Sequence, residues 1–372
     1  MRHYKVYAPM NMRIVNLTYA LIRGYNKPES WLKRLDFYTA QLEALRPFAE
    51  TKSIHLIDYE GILVKHDVEY HFLKLTKWQL LFPVRLHRYV DNLKPDVVVI
   101  QGLIFPWQVL WLTFHLKRKV KLVAVHHAER PLRFPKSLLQ KVADRFIHAY
   151  FFAAVDLGKR WVDKGQISSL NKIHEIMEVS SFFYPTNVND LLQRRNNYLW
   201  VGRLDDNKDP ATLVKAFARF LQDEPSATLK IVYRAGNHRD DIERLLTSLE
   251  IDRKQIVLIE NVDHDEMLHW YNDAAFVIST SHYEGSGAAV CEGMACGCIP
   301  IVTNIPSFRM MTQSGKVGFL FAPGDVNGLH QALRSSRQVS LLDERKKVLT
   351  QFQENLSCDA ISKKMFQVIS EK

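Results

Sequence analysis

Residues 276–304 read FVISTSHYEGSGAAVCEGMACGCIPIVTN. The apolar run Phe276–Ser281 predicts a strand. A glycine-containing turn of Glu284, Gly285, Ser286 and Gly287 follows, then a helix on Ala288–Ala295, a break at Gly297 and a second strand at Pro300–Asn304. A strand, a crossover helix and a second strand make a βαβ unit of a parallel sheet. The small residues Gly285, Gly287, Ala288 and Ala289 let a ligand approach the backbone closely, and the first N–H groups of the helix point out of its N-terminus as an anion site.

The same alternation extends in both directions. Strands are predicted at Tyr198–Arg203, Leu229–Arg234, Gln255–Glu260 and Gly318–Ala322. Helical stretches at Asp209–Leu221, Asp240–Leu249 and Asp265–Asn272 each open on an acidic or capping residue. In the first half the predicted strands are Lys5–Pro9, His55–Tyr59, Asp96–Gln101, Lys121–His127 and Phe146–Ala154. This is an α/β chain with two βαβ-type sheets in succession, and 372 residues suffice for two cores. The polar stretch PTNVNDLLQRRNN (185–197) has linker character. The expected domains are therefore 1–190 and 191–340, with a helical segment at 341–372 free to pack back across the junction. Ligands of open parallel sheets bind outside the carboxyl ends of the strands, so two such sheets are expected to face an interdomain cleft.

Composition narrows the classes. An apolar fraction of 47% with 24% charged residues excludes wholesale disorder and low-complexity architectures. The net charge of +10 is lopsided: residues 1–190 carry 28 Lys and Arg against 17 Asp and Glu, so the whole excess lies in the first half. Such a field argues for an anionic partner, whether nucleic acid, phosphorylated substrate or acidic membrane surface. The uncharged stretch 97–114 approaches the length of a membrane span. Gln101, Gly102, Pro106 and Gln108 interrupt it, and it reads better as a buried strand followed by a helix opened at Pro106. Four cysteines make no disulfide framework, and the first residues lack a signal-peptide core, so a cytoplasmic protein is expected.

Several residues carry candidate chemistry. Glu284 stands at the mouth of the glycine loop and Glu292 eight positions on, inside a small and apolar helix where a carboxylate needs a hydrogen-bonding partner such as a sugar hydroxyl. Either could also be a solvated or dipole-compensating glutamate. In YLWVGRLDDNKDP (198–210), Arg203 ends a strand and Lys208 opens the next helix, placing two cations to clamp a diphosphate. Lys208 also has Asp205, Asp206 and Asp209 as ordinary surface partners. In KLVAVHHAERP (121–131) the strand delivers His126 and His127 to opposite sides, one toward the cleft. GSGAAV lacks the third glycine of a dinucleotide fingerprint, and Asn304 stands where an acidic ribose anchor belongs. Cys291, Cys296 and Cys298 match no zinc spacing and read as core thiols, so no metal is expected.

These residues together resemble the retaining glycosyltransferases of family 4 and their GT-B fold of two Rossmann-like domains. The resemblance is specific over roughly 196–335. It rests on VGRLDDNK (201–208), on SHYEGSGAAVCEGMACGCIPIVT (281–303) with its two glutamates, and on GFLFAPGD (318–325); over 1–195 it is loose. It implies that Arg203 and Lys208 bind the diphosphate of a nucleotide-sugar donor, UDP- or GDP-linked. Glu284 and the backbone of Gly285, Ser286, Gly287, Ala288 and Ala289 would hold sugar and phosphates, and Glu292 would accept from the ribose. His127, with His126 as the fallback, would sit beside the transferred sugar and the acceptor. It further implies a metal-independent enzyme acting in cell-surface polysaccharide or glycolipid synthesis on a glycan or lipid-linked acceptor. Departures from the family pattern are Ser286 in the loop, YRAGN (233–237) in place of a glycine-rich turn, EVSSFFYP (178–185), and PMNMR (9–13) in place of a paired-glycine loop.

Two other readings compete. Glu284 and Glu292 could be the paired carboxylates of a glycoside hydrolase. The basic first half could mark a nonenzymatic membrane, glycan or nucleic-acid module. The mixed apolar and basic segments HFLKLTKWQLLFPVRLHRYV (71–90) and FHLKRKVKL (114–122) suit peripheral contact with an anionic membrane, or a merely solvated face. Their aromatics are not interleaved as base-stacking platforms, so nucleic acid is not expected.

Overall fold

The structure is a computed structural model that describes residues 12–177, 183–186 and 194–371. The chain forms two compact units, one of Met1–Ser181 with Cys358–Lys372 and one of Phe182–Ser357.

The first unit holds an eight-stranded sheet. Its strands are β1 (Arg13–Leu21), β2 (Glu50–Leu56), β3 (Gly61–Lys65), β4 (Val68–Leu73), β5 (Val97–Gln101), β6 (Lys121–Val125), β7 (Ile147–Phe152) and β8 (Ile173–Glu175), in the order β3-β4-β2-β1-β5-β6-β7-β8. All neighbours are parallel except β3 and β4. The strand expected at Lys5–Pro9 lies outside the described residues. The central strand is β1, which sequence reading passes over because Asn16 and Thr18 interrupt its apolar run. Asn16 is nevertheless buried, its amide donating to Ser53 Oγ at 3.0 Å and accepting from Gln101 Nε2. Burial of a polar group is tolerated when it is fully bonded in this way. The expected strand His55–Tyr59 is displaced: β2 ends at Leu56. The β3–β4 hairpin turns on His66 and Asp67, both at positive φ (46° and 56°), without the Asn-Gly that announces such a turn.

The stretch 97–114 resolves into β5 and a helix at Pro106–His115, and among the described residues no helix is long and apolar enough to cross a membrane.

The second unit holds β9 (Asn197–Leu204), β10 (Thr228–Gly236), β11 (Ile256–Glu260), β12 (Phe276–Ser279), β13 (Ile299–Thr303) and β14 (Phe319–Phe321), all parallel, in the order β11-β10-β9-β12-β13-β14. This is the 3-2-1-4-5-6 order of a doubly wound sheet, whose ligand crevice opens where the order reverses, here between β9 and β12. Tyr198, Phe217, Phe220 and Phe276 pack as an aromatic cluster beneath it.

The C-terminal segment differs from expectation. Instead of one helix from 341, the chain forms Leu341–Gln351, a π turn at Phe352–Leu356 and a second helix at Cys358–Ser370. Only the last belongs to the first unit. There Phe366 stacks on Phe48 with centroids 5.1 Å apart, Ser362 Oγ donates to the Gln41 carbonyl at 3.1 Å, and Lys121 Nζ donates to the Ile369 carbonyl at 3.0 Å. Met365 is buried in this contact, and Met→Ala at such a position removes about 2–5 kcal/mol. Met365→Ala is therefore expected to lower the urea midpoint of the first unit, followed by tryptophan fluorescence. An unchanged midpoint would show that the terminal helix does not dock.

Candidate functional site

Arg203 stands at the end of β9, Lys208 follows that strand and Glu284 follows β12, so all three lie at the point where the second sheet reverses its strand order. Asp205 organises the first of these turns. One carboxylate oxygen pairs with Arg203 at 2.9 Å and the other accepts from the Lys208 backbone N–H at 2.9 Å. Arg203 keeps 64% of its side chain exposed.

Three bonds lock this turn to the end of β12. Thr280 Oγ1 donates to the Lys208 carbonyl at 2.6 Å while accepting from Trp200 Nε1 at 3.1 Å. Asn207 donates to the Tyr283 carbonyl at 3.0 Å, and its own carbonyl accepts from the His282 N–H at 2.8 Å. The result is direct contact between two predicted site residues: Lys208 Nζ forms an ion pair with Glu284. Of the aspartates that offered an alternative surface pairing, Asp205 bonds the Lys208 backbone N–H while the ammonium pairs with Glu284.

The loop after Glu284 is held from below. Ser307 Oγ bonds the carbonyls of Glu284 and Gly285, at 2.7 and 2.9 Å. Gly287 is the N-cap of the helix Ala288–Ala295, at φ 65°, and a Cβ there would lie 2.6 Å from Phe308 Cε1, so this glycine is required by conformation and by packing. No side chain caps the helix, whose first N–H groups point out beside half-exposed Gly285, Ser286 and Ala289 and exposed Ala288.

Glu292 is buried, and in the structure its partners are supplied by the protein. Tyr271 donates its hydroxyl to one oxygen at 3.0 Å, and His264 Nε2 approaches the other at 3.2 Å. The hydrogen bond to Glu292 raises the His264 pKa above its ordinary 6.5, and burial beside the same carboxylate pushes the Tyr271 hydroxyl well above 10.0. Cys291, Cys296 and Cys298 are buried thiols, Cys298 driven up to about 12 by burial.

Of the departures from the family pattern, YRAGN retains one glycine, and it is closely packed: a Cβ on Gly236 would lie 2.4 Å from the Leu204 carbonyl.

The histidine pair of the first unit is sorted by its surroundings. His126 is buried, stacked on Phe152 with centroids 4.4 Å apart and set edge-on to Trp161. Half-buried His127 turns its Nε2 to Gln101 Oε1 at 2.9 Å. Behind Gln101 runs a polar chain across the sheet, through Asn16 and Ser53 to His55, which accepts from Trp31 Nε1 at 3.3 Å. Complete burial lowers His55 to about 4, which keeps it neutral. Sequence reasoning missed His264, Tyr271, Thr280, Ser307 and Gln101. Each sits in a different element from the residue it holds or in a turn without a motif, so only the fold reveals it.

Residues 187–348 match the family model described as glycosyl transferases group 1. A glycogen synthase of Mycobacterium tuberculosis is 31% identical over 142 residues, 37% of this chain and 33% of that one, so the chain matches about a third of its relative's length. Among solved structures, a glycosyltransferase from Rickettsia africae superposes with a TM-score of 0.72 at 14% identity, covering 97% of this chain and 98% of that one. Anabaena HepE in complex with UDP superposes with a TM-score of 0.69 at 15% identity, covering 97% and 100%. The fold is GT-B. The expectation of two Rossmann-like α/β units with parallel sheets agrees with it, and the family match falls on the unit that carries Arg203, Lys208, Glu284 and Glu292.

The His264–Glu292 contact has a measurable consequence. With its folded pKa above 6.5, His264 contributes stability that is fully present below that value and is lost as pH rises through the raised folded pKa. Proton NMR should find the His264 ring titrating above 6.5, and Glu292→Gln should return it toward 6.5 and flatten this part of the stability profile. An unshifted ring in the wild-type chain would refute the pairing.

Proposed function

We propose that the chain is a glycosyltransferase that moves a sugar from a nucleotide-sugar donor to a hydroxyl acceptor with retention of configuration and without a metal ion. The observation that carries this reading is the Lys208–Glu284 pair, fixed beside an uncapped helix N-terminus at the switch point of a doubly wound sheet. Cation, carboxylate and helix end are the three groups that a sugar joined to a diphosphate requires.

In this reading Arg203 and Lys208 take the diphosphate. Arg203 is exposed and pairs with Asp205, so a phosphate can draw it away from that partner. The leaving nucleoside diphosphate gains negative charge in the transition state, and these cations with the N–H groups at Ala288 and Ala289 meet it without a divalent ion. Glu284 and the backbone of Gly285, Ser286 and Gly287 hold the transferred sugar. A carboxylate has about four acceptor positions, and Tyr271 and His264 occupy two on Glu292, which leaves it able to accept from a ribose while held by both. His127 is the acceptor-side residue of this reading, with His126 packed behind it. UDP- and GDP-sugars are the donors of first choice, the former supported by the UDP complex of HepE. The setting is synthesis of cell-surface polysaccharide or glycolipid in the cytoplasm.

The hydrolase alternative fares worse. A glycosidase needs one carboxylic acid ready to donate a proton. Here both glutamates already face basic partners, Lys208 and His264.

Arg203→Ala and Lys208→Ala are each expected to lower kcat/KM for the turned-over nucleotide sugar by roughly 10²–10³-fold, with activity unchanged by a chelator. The anomeric configuration of the product, read by proton coupling, should match that of the donor. Undiminished turnover in both variants, or an inverted product, would overturn the assignment.

A further inference from the structure

The first unit carries a face that the donor site does not explain. The helix Lys77–Leu81 is capped at both backbone and side chain by Thr76 and Gln79, yet none of its residues is buried. Its apolar side chains point outward instead: Trp78 is 73% exposed, and Leu81 and the following Phe82 are also exposed.

The neighbouring helix Pro106–His115 extends this surface. Trp107 Nε1 donates to the Leu81 carbonyl at 2.8 Å, and Phe82 meets Trp111 edge-on with centroids 5.9 Å apart. Phe114, one turn beyond Trp111, is 83% exposed. Two helices thus join their aromatic residues into one strip, exposed at Trp78, Phe82 and Phe114 and half-buried at Trp107 and Trp111. Burying a side chain of this size is worth about 1.5–3 kcal/mol, so the open strip is a reservoir of unrealised apolar contact.

The surroundings of the strip are basic. Lys74, Lys77 and Arg88 flank it on one side in sequence, and Lys117, Arg118 and Lys119 follow Phe114 directly. All six are exposed. The acidic residues between 74 and 119 are only Asp91 and Asp96. The first accepts from the Lys117 backbone N–H at 3.0 Å and the second is bonded to Arg13.

We propose that this face, centred on Trp78, Phe82, Trp111 and Phe114, docks the first unit on an anionic lipid bilayer. Tryptophan and phenylalanine sit at the headgroup–acyl boundary, and lysine and arginine around them meet anionic headgroups. A second copy of the chain fits less well, because facing strips would bring two basic rims together. Nucleic acid also fits less well. Stacking bases need open ring faces, and Trp111 already has His115 stacked on it at 5.7 Å and Phe82 against it edge-on. The inference does not depend on the reading of the donor site, since none of these residues belongs to it.

The test is flotation of the full chain with vesicles of phosphatidylcholine alone and of phosphatidylcholine mixed with phosphatidylglycerol. Wild type is expected to float with the mixed vesicles, less so at high salt, and not with the neutral ones. Lys117→Glu/Arg118→Glu should weaken binding by roughly fivefold or more per residue. Trp78→Ser/Phe114→Ser should abolish it, with melting and circular dichroism unchanged because these side chains are exposed. Equal flotation of wild type and both variants, absence of wild-type flotation with anionic vesicles, a dimer broken by Trp78→Ser/Phe114→Ser, or retention on an RNA oligomer in place of lipid would each overturn the proposal.

Discussion

A single ion pair ties the second unit's chemistry to its topology. Lys208 and Glu284 are 76 residues apart in the chain, and they meet because β9 and β12 are neighbours in a parallel sheet whose order reverses between them. As a contribution to stability such a half-buried pair is weak, since removing two charges from water offsets most of their attraction. Its importance is positional. The ammonium is held by a backbone that Thr280 fixes and the carboxylate by a loop that Ser307 fixes. Both charges are therefore placed before any ligand arrives, and preorganised charge is what a charged leaving group demands.

The two units use charge in different ways. In the second, acidic residues slightly outnumber basic ones, and the cations of the candidate site are individually braced: Arg203 by Asp205, Lys208 by Glu284. The first carries the entire positive excess, much of it on exposed positions around outward-facing aromatics. A braced cation selects a particular anion through geometry. A diffuse basic field attracts any anionic surface and is screened by salt over about 8–10 Å. The contrast fits one unit built to hold a defined small molecule and another built to be presented to something extended.

The second unit was legible in the sequence because each of its signals is local. The strand that ends in Arg203, the glycine turn after Glu284 and the helix on Ala288–Ala295 are continuous text, and the strands stand where periodicity puts them. The first unit was less legible for a physical reason. Its central strand carries Asn16, whose burial makes sense only once Ser53 and Gln101 are beside it, and those lie 37 and 85 residues away. The same limit hid the partners of Glu292. The sequence reading held that a carboxylate in that helix needs a hydrogen-bonding partner, and two such partners, His264 and Tyr271, come from a segment about twenty to thirty residues upstream.

The backbone around the second site shows what it takes to bring these groups together. Asp209, directly after Lys208, is left-handed at φ 46°, a conformation that costs an ordinary residue about 1–2 kcal/mol. Aspartate tolerates it, and its carboxylate offsets the cost by capping the next helix at Thr212 N, 3.1 Å away, and by meeting His282 at 3.2 Å. The turn is thereby short enough to leave Lys208 facing Glu284 instead of extending it into solvent. Gly287 and Gly236 play the complementary part, each at positive φ and each so close to Phe308 or to the Leu204 backbone that no side chain fits. Three unusual conformations thus gather at the carboxyl edge of one sheet, where backbone strain is retained because it aims particular groups. The strands supply the rigid frame, and these turns convert it into a site.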